Sequence, residues 1–347
     1  MKKAIIYCFS GTGNTRKVSE FVAEELKNYE IETEVFSYDR KKYKSGDFPK
    51  PENYDLVGFS YPIYGFNAPF IVNRFVKKLG KATNNQQAFI IKTSGEPFKF
   101  NNFSSNAIKR YLRRKGYNLT YERHYLMPYN IMFRYPDGLV KQMFLTSEQL
   151  PKVSAKKIAN GDKELVRPTF LSLIASFICK LVWIGGPIIG KTYHVDKNKC
   201  VNCGKCVNNC PAQNISVNEK GKYKFASHCM LCCRCAMNCP QDALSMGLMN
   251  AWKVNSPYNF NKLIADESLS ANYVNAETKG YFHNFNKYFD AVDEELIAFG
   301  VETVRDKYPP NPFALMTKAE KREYLEALSE REESFAEQEG EEVKAEN

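Results

Sequence analysis

"KKAIIYCFSGTGNTRKVSEFVAEEL", residues 2 to 26, runs an apolar stretch into a glycine turn and out into a periodic one. The stretch Lys2 to Phe9 is short and apolar through its centre, as a buried strand of a parallel sheet requires. Val18, Phe21, Val22 and Leu26 then recur at helical spacing on one face. Between them lies "SGTGNT", Ser10 to Thr15, at the start of the helix. Unpaired backbone N–H groups and the positive end of the helix dipole favour a phosphate there. Gly11 and Gly13 permit close approach, while Ser10, Thr12, Asn14 and Thr15 add polar groups. Arg16 stands where the last glycine of G-x-G-x-x-G would be, and no Gly-Lys-Ser/Thr follows, so a mononucleotide phosphate is the best fit. A simple helix-capping turn is the alternative for this hexapeptide taken alone.

Further buried-type strands follow at "IETEVFSY", "YDLVGFSYP", "QAFIIKTSG" and "NLTYERHYLMP", with helical stretches near 69–79, 103–115 and 148–159. Strands interleaved with helices predict a doubly wound α/β domain with a five-stranded parallel sheet over residues 1–162. Ligands of such sheets bind beyond the carboxyl ends of the strands. Two more loops lie at that rim. "YPIYGFNAP" offers Pro62, Tyr64, Gly65 and Phe66, whose aromatic faces suit a planar ring. "TSGEP" offers Thr93, Ser94, Gly95 and Glu96.

Together the three loops resemble those of the flavodoxin family over roughly residues 1–160. The resemblance implies bound FMN, with Ser10, Gly11, Thr12, Gly13, Asn14 and Thr15 around the phosphate. It places Pro62, Tyr64, Gly65, Phe66 and Thr93 to Glu96 near the isoalloxazine. The chain departs from the family at "DRKKYKSGDFPKPEN", which is poorly patterned for a helix, and in having no tryptophan in the second loop, so the stacking residue is left open.

Nine of the eleven cysteines crowd into residues 200–239. "CVNCGKCVNNCP" from Cys200 and "CMLCCRCAMNCP" from Cys229 superpose on a shift of 29 residues, and the likeness runs on into "NIS" and "ALS". Each copy is C-x2-C-x2-C-x3-C-P, the spacing of bacterial two-cluster ferredoxins, whose fourth cysteine ligates the other cluster. One 4Fe–4S cluster is therefore assigned to Cys200, Cys203, Cys206 and Cys239, and a second to Cys229, Cys232, Cys235 and Cys210. Cys233, which pairs with Gly204, is spare. Zinc is the alternative for a cysteine quartet, but it demands neither interlocked motifs nor matched prolines. His194 and His228 flank complete ligand sets and are read as surface or core residues. Cys8 and Cys179 lie in apolar runs and are read as packing residues. Residues 191–249 then form a small α+β domain.

Residues 163–190 form an apolar connector. Its stretch "PTFLSLIASFICKLVWI", 168–184, predicts a helix that Gly185, Gly186 and Pro187 should end, with Ser172, Ser176 and Lys180 as a narrow polar stripe. A buried helix bridging two cofactor domains is favoured over a membrane-surface contact, and both over a membrane span. In a helical extension over 250–328, Phe282, Phe285, Phe289, Val292, Leu296 and Phe299 form a packing seam. No chemistry is assigned there, and residues 329–347 form an acidic tail of disordered composition.

The chain carries a formal net charge of +10, with basic runs at "DRKKYK" and "KRYLRRKG". Nucleic-acid binding is not expected, because no motif accompanies the charge; anionic lipid or an acidic redox protein partner would suit that surface, and a solvated face is the alternative. The apolar start is only about six residues, against about 7 to 15 for a signal peptide, and cysteine use suits a reducing compartment, so a cytoplasmic location is expected. The whole arrangement, about residues 1–247, resembles flavodoxin–ferredoxin fusions of anaerobic bacteria, which implies electron transfer. The first hypothesis is a carrier passing electrons between clusters, FMN and a partner protein. The rival is a flavin reductase of a quinone, porphyrin precursor or nitro compound, with Tyr129 and Asn130 in its pocket.

Overall fold

The computed structural model describes residues 1–83, 85–254, 256–311, 316 and 320. Strands β1 (Lys2–Cys8), β2 (Ile31–Ser37), β3 (Leu56–Pro62), β4 (Gln87–Ser94) and β5 (Asn118–Leu126) make one parallel sheet in the order β2-β1-β3-β4-β5. That is the flavodoxin-like order, and its switch point lies between β1 and β3. The predicted α/β class holds.

Helices α1 (Asn14–Leu26), α2 (Arg40–Ser45), α3 (Phe70–Lys78), α4 (Asn106–Arg114), α5 (Asp137–Gln149) and α6 (Pro151–Asn160) flank the sheet. Two apolar cores form, one per face. Ile71, Val72, Phe75, Ile108 and Leu112 of α3 and α4 pack on one side; Val18, Val22 and Leu26 of α1 pack with Val153 and Ile158 of α6 on the other.

Two helices differ from expectation. "DRKKYK" does contain a helix: the Asp39 side chain accepts from Lys42 N at 2.9 Å, and Gly46, at φ 81°, closes it. Six residues are too few to show periodicity. The helix α5 was not expected either, the predicted 148–159 segment being α6. Its polar residues Lys141, Gln142, Thr146 and Ser147 are as buried as its apolar ones, which erases the amphipathic stripe. Their partners are remote: Gln142 exchanges two hydrogen bonds with the backbone of Val274, and Lys141 Nζ donates to Asp266 O at 2.7 Å.

The connector helix α7 spans Phe170–Ile189 and passes through Gly185, Gly186 and Pro187 rather than ending there. Gly186, with Gly190 just past the helix end, serves close approach instead. A Cβ on Gly186 would lie 3.1 Å from Cys229 O, and one on Gly190 would lie 2.2 Å from Cys229 Cβ. The expectation of a buried bridge needs correction: α7 does join the two cofactor regions, but Phe170, Leu171, Leu173, Ile174, Phe177, Ile178 and Ile188 are exposed.

The cysteine region contains β6 (His194–Val195), α8 (Lys205–Asn208), β7 (Ile215–Val217), β8 (Tyr223–Phe225), α9 (Arg234–Met237) and β9 (Leu244–Ser245), with β6 paired to β9 and β7 to β8, both antiparallel. The duplication extends to the backbone. Asn202 and Leu231, Gly204 and Cys233, Gln213 and Asp242 all take positive φ in pairs 29 residues apart. Asn214 N donates to Cys210 Sγ and Ala243 N to Cys239 Sγ, each at 3.2 Å.

Beyond it, α10 (Phe260–Ala265), α11 (Asn286–Ala298) and α12 (Val304–Lys307) pack back on the α/β domain. Phe285, Phe289, Val292 and Leu296 of the expected seam are buried in this chain's own core, while Phe282 is half-buried and Phe299, past the end of α11, is more exposed. Of the expected helical extension, residues past 311 other than 316 and 320 lie outside the described residues, as does the acidic tail.

A buried ion triad ties β4, β5 and α4 together beneath the site. Glu122 receives Lys92 Nζ and Lys109 Nζ on its two oxygens, each at 2.5 Å, with all three side chains almost wholly enclosed. Burial would raise the Glu122 carboxyl, but the two ammonium groups outweigh it and hold the carboxyl below its usual range.

Candidate functional site

The first loop meets the start of α1 with no side-chain cap. Gly13, the N-cap, sits at φ 114°, and Ser10 Oγ accepts from Gly13 N at 3.0 Å. The first-turn amides therefore lack a protein cap, which leaves an anion cradle. Thr12 Oγ1 is buried without a partner beside it. Asn14 Nδ2 donates to Pro128 O at 2.9 Å, and Thr15 Oγ1 lies 2.6 Å from Thr93 Oγ1, so the cradle is tied to the rim after β4 and β5.

The second loop is a tight hairpin turn. Tyr64 and Asn67 exchange backbone hydrogen bonds at 2.9 and 3.1 Å, with Gly65 at φ 52° and Phe66 at φ 58° between them. Two successive positive φ values make this a type I′ turn, strained at the non-glycine Phe66. The turn is latched to α7: Ser176 Oγ donates to Asn67 Oδ1 at 2.7 Å, and Asn67 Nδ2 donates to Ser176 O at 3.1 Å. Tyr64 OH is buried with no partner, so a hydroxyl of the turn awaits a bond near the cradle.

The third loop is held from behind. Ser94 Oγ lies 2.7 Å from His124 Nε2, and Asn101 Nδ2 donates to Glu96 O at 2.7 Å. Burial, with Lys92 and Arg123 nearby, pushes His124 down to about 3, so the imidazole stays neutral. Glu96 is buried against Tyr129, and burial raises its carboxyl above the usual range despite a hydrogen bond between the two side chains.

These loops enclose one cavity of about 490 Å³. Every expected loop residue except Gly13 lines it, as do Tyr129 and Asn130, whose Oδ1 is also unpartnered. Gly13 instead shapes the backbone below. The volume falls in the range of small-molecule and cofactor sites. Thr12 Oγ1, Tyr64 OH and Asn130 Oδ1 are buried polar atoms of lining residues with no partner. The lining also includes residues not expected at this cavity: Cys179 and Gly186 of α7, Met249 and Trp252 after the cysteine repeat, and Met230 and Cys232 within it. Trp252, one of the two tryptophans of the chain, is among these lining residues.

Two smaller hollows lie in the duplicated region. Cys200, Cys203, Cys206 and Cys239 line one, and Cys210, Cys229, Cys232, Cys233 and Cys235 line the other. The fourth cysteine of each motif thus joins the opposite triad. Among the described residues no three His, Cys, Asp or Glu side chains are grouped closely enough to hold a metal ion. Burial pushes the Cys229 thiol up to about 11 and the Cys232 thiol up to about 12. Cys233 is buried in the left-handed conformation of its counterpart Gly204, with Sγ directed to Leu231 O at 3.3 Å. His194 is exposed, and His228 lies 3.0 Å from an Arg40 guanidinium nitrogen. Cys8 is buried beside Ser19, whereas Cys179 is half-buried and faces the larger cavity.

Residues 194–215 match the model of a 4Fe-4S binding domain. A search of curated proteins finds no match to the chain. Among solved structures, the chain is similar to a short-chain flavodoxin associated with a non-canonical PDU bacterial microcompartment (14% identity, 46% of this chain and 96% of that one, TM-score 0.33). It is also similar to a flavoprotein in complex with FMN from Lactobacillus acidophilus NCFM (18% identity, 36% and 93%, TM-score 0.26). A third is NAD(P)H:quinone oxidoreductase from Methanothermobacter marburgensis (13% identity, 44% and 98%, TM-score 0.31). At these scores the fold rests on strand order and register rather than on the likenesses. The chain combines a flavodoxin-like sheet with an iron–sulfur binding region, the equipment of a redox protein.

Proposed function

We propose that this chain is an electron-transfer flavoprotein that holds FMN in the larger cavity and two 4Fe–4S clusters in the cysteine hollows, and exchanges electrons with a separate redox partner. The observation that carries the reading is Cys232, which lines both the larger cavity and the second cysteine hollow. FMN exchanges one or two electrons and each cluster one, so their union suits conversion between paired and single electrons.

The residues present fit these groups. The uncapped start of α1, Thr12 Oγ1 and Tyr64 OH would receive the phosphate, and Asn130 Oδ1 would accept from the ring system. Glu96, kept protonated to higher pH by burial, can hold a proton at the cavity wall. Amides directed at Cys210 and Cys239 would stabilise negative charge on sulfur. The exchanged fourth cysteines would bring the two clusters close together, and exposed Cys203, among exposed Lys197, Lys199 and Lys205, gives the outer one a basic approach for an acidic partner.

The test is internal electron transfer. The anaerobically loaded chain, mixed with limiting dithionite and no other protein, should show cluster and flavin absorbance settling to a common equilibrium. The reading is overturned if the flavin changes only when a diffusible mediator is added. Multiple turnovers of a small acceptor without a partner protein would instead favour the reductase hypothesis.

A further inference from the structure

The helix α7 is built inside out for water. Among its described side chains the inward stripe is small, Ser172, Ser176, Cys179 and Gly186, with Gly190 just past the helix end. Ser172 Oγ donates to Thr169 O, Ser176 is latched to Asn67, and the two glycines rest on Cys229. The opposite face carries Phe170 and Phe177, 77% and 71% exposed, with Leu171, Leu173, Ile174, Ile178 and Ile188 also exposed. A helix folded against an aqueous domain does the reverse, burying its large apolar residues. Small residues inward and large ones outward is the pattern of a helix whose outer solvent is hydrocarbon.

Charge placement narrows the occupant. Lys163 and Arg167 precede the helix, Lys191 follows it, and Lys180 projects from the flank about 90° from the apolar centre; all are exposed. Cations at both ends and on a flank, with apolar residues between, match anionic headgroups over acyl chains. Lys180 can extend along its apolar stem to the headgroup level. Leu248, 79% exposed and bound through its N–H to Thr192 Oγ1, extends the apolar surface at the far end.

The helix is long and apolar enough to span, with a mean hydropathy of 1.8. Its contacts argue for a different pose. Ser176, Gly186 and Gly190 hold it lengthwise against the Asn67 turn and the Cys229 loop, so upright insertion would drag irregular backbone into hydrocarbon. We propose that α7 lies in the plane of an anionic bilayer surface and anchors the chain there, with Cys179 and Gly186 forming a wall of the cavity on the opposite side of the same helix. This stands independently of what fills the cavity.

The test is flotation of the full-length, cofactor-loaded chain with vesicles of phosphatidylcholine alone or mixed with phosphatidylglycerol. The chain should float with the anionic vesicles, less at high salt, and little with phosphatidylcholine alone. The exposed-face variant Ile174→Asp/Phe177→Asp should weaken binding at least about tenfold, and Lys180→Glu should weaken it less, both with unchanged flavin and cluster absorbance. Failure to float with either vesicle overturns the proposal. So does flotation that the double variant leaves intact, or a dimer in sedimentation that the double variant dissolves, which would assign the face to a second copy of the chain.

Discussion

Gly11→Ala probes the point where the phosphate cradle, the Tyr64 turn and the iron–sulfur region meet. An added Cβ would stand 2.4 Å from Tyr64 OH and 3.0 Å from Cys232 Cβ. Gly11 is not in the left-handed region, so backbone strain is not part of the cost. The cost is collision, which in a packed wall amounts to about 1–3 kcal/mol. Expressed as FMN affinity, that is a loss of about 5- to 150-fold. Tyr64→Phe removes the nearest colliding atom but also a hydroxyl that the reading gives to the ligand, costing about 0.5–1.5 kcal/mol by itself. In the double variant the methyl has lost its closest obstacle, so the two losses should not add, and a coupling of about 0.5–3 kcal/mol is expected. Anaerobic titration of FMN into the four proteins, followed by flavin fluorescence with iron content checked in each, measures the cycle. Wild-type affinity in Gly11→Ala, or strictly additive losses, would refute the reasoning.

Cys233→Ser should retain both clusters, because the 29-residue shift pairs Cys233 with Gly204 and its Sγ is directed to Leu231 O, whereas Cys232→Ser should lose roughly half the iron; equal losses in the two variants would remove the assignment. Cys233→Gly, matching Gly204 at the same left-handed position, should be tolerated at least as well when assayed by thermal melting and absorbance. Glu122→Gln leaves Lys92 and Lys109 enclosed without their counter-charge and should cost about 3–5 kcal/mol in a denaturant titration. Since the Glu122 carboxyl is held below its unfolded value, its contribution is present above about pH 4.5 and lost as pH falls through the folded value. Wild-type stability should therefore fall on acidification by more than that of Glu122→Gln, and parallel pH profiles would contradict the triad's role.

What was legible in the chain was local or repeated. "SGTGNT" declares its chemistry within six residues, because strand end, glycines and helix start are contiguous. The cysteine assignment came from a repeat whose two copies interpret one another, and the paired positive φ values at Asn202 and Leu231 follow the same shift. What was hidden depends on distant contacts. Nothing near Gly11 announces Cys232 as its neighbour, 221 residues away. Lys141 and Gln142 find their partners 125 and 132 residues on, so α5 lacks a periodic signature. For α7 the pattern was apolar around most of the helix and could not tell inside from outside; Asn67 and Cys229 decide that by what they admit beside them, a serine and two glycines.

The most direct measurement is the cofactor content of the chain purified without oxygen and reconstituted with iron, sulfide and FMN. About eight irons, about eight sulfides and about one FMN per chain are expected. A plateau near four irons, or no retained flavin, would contradict this stoichiometry.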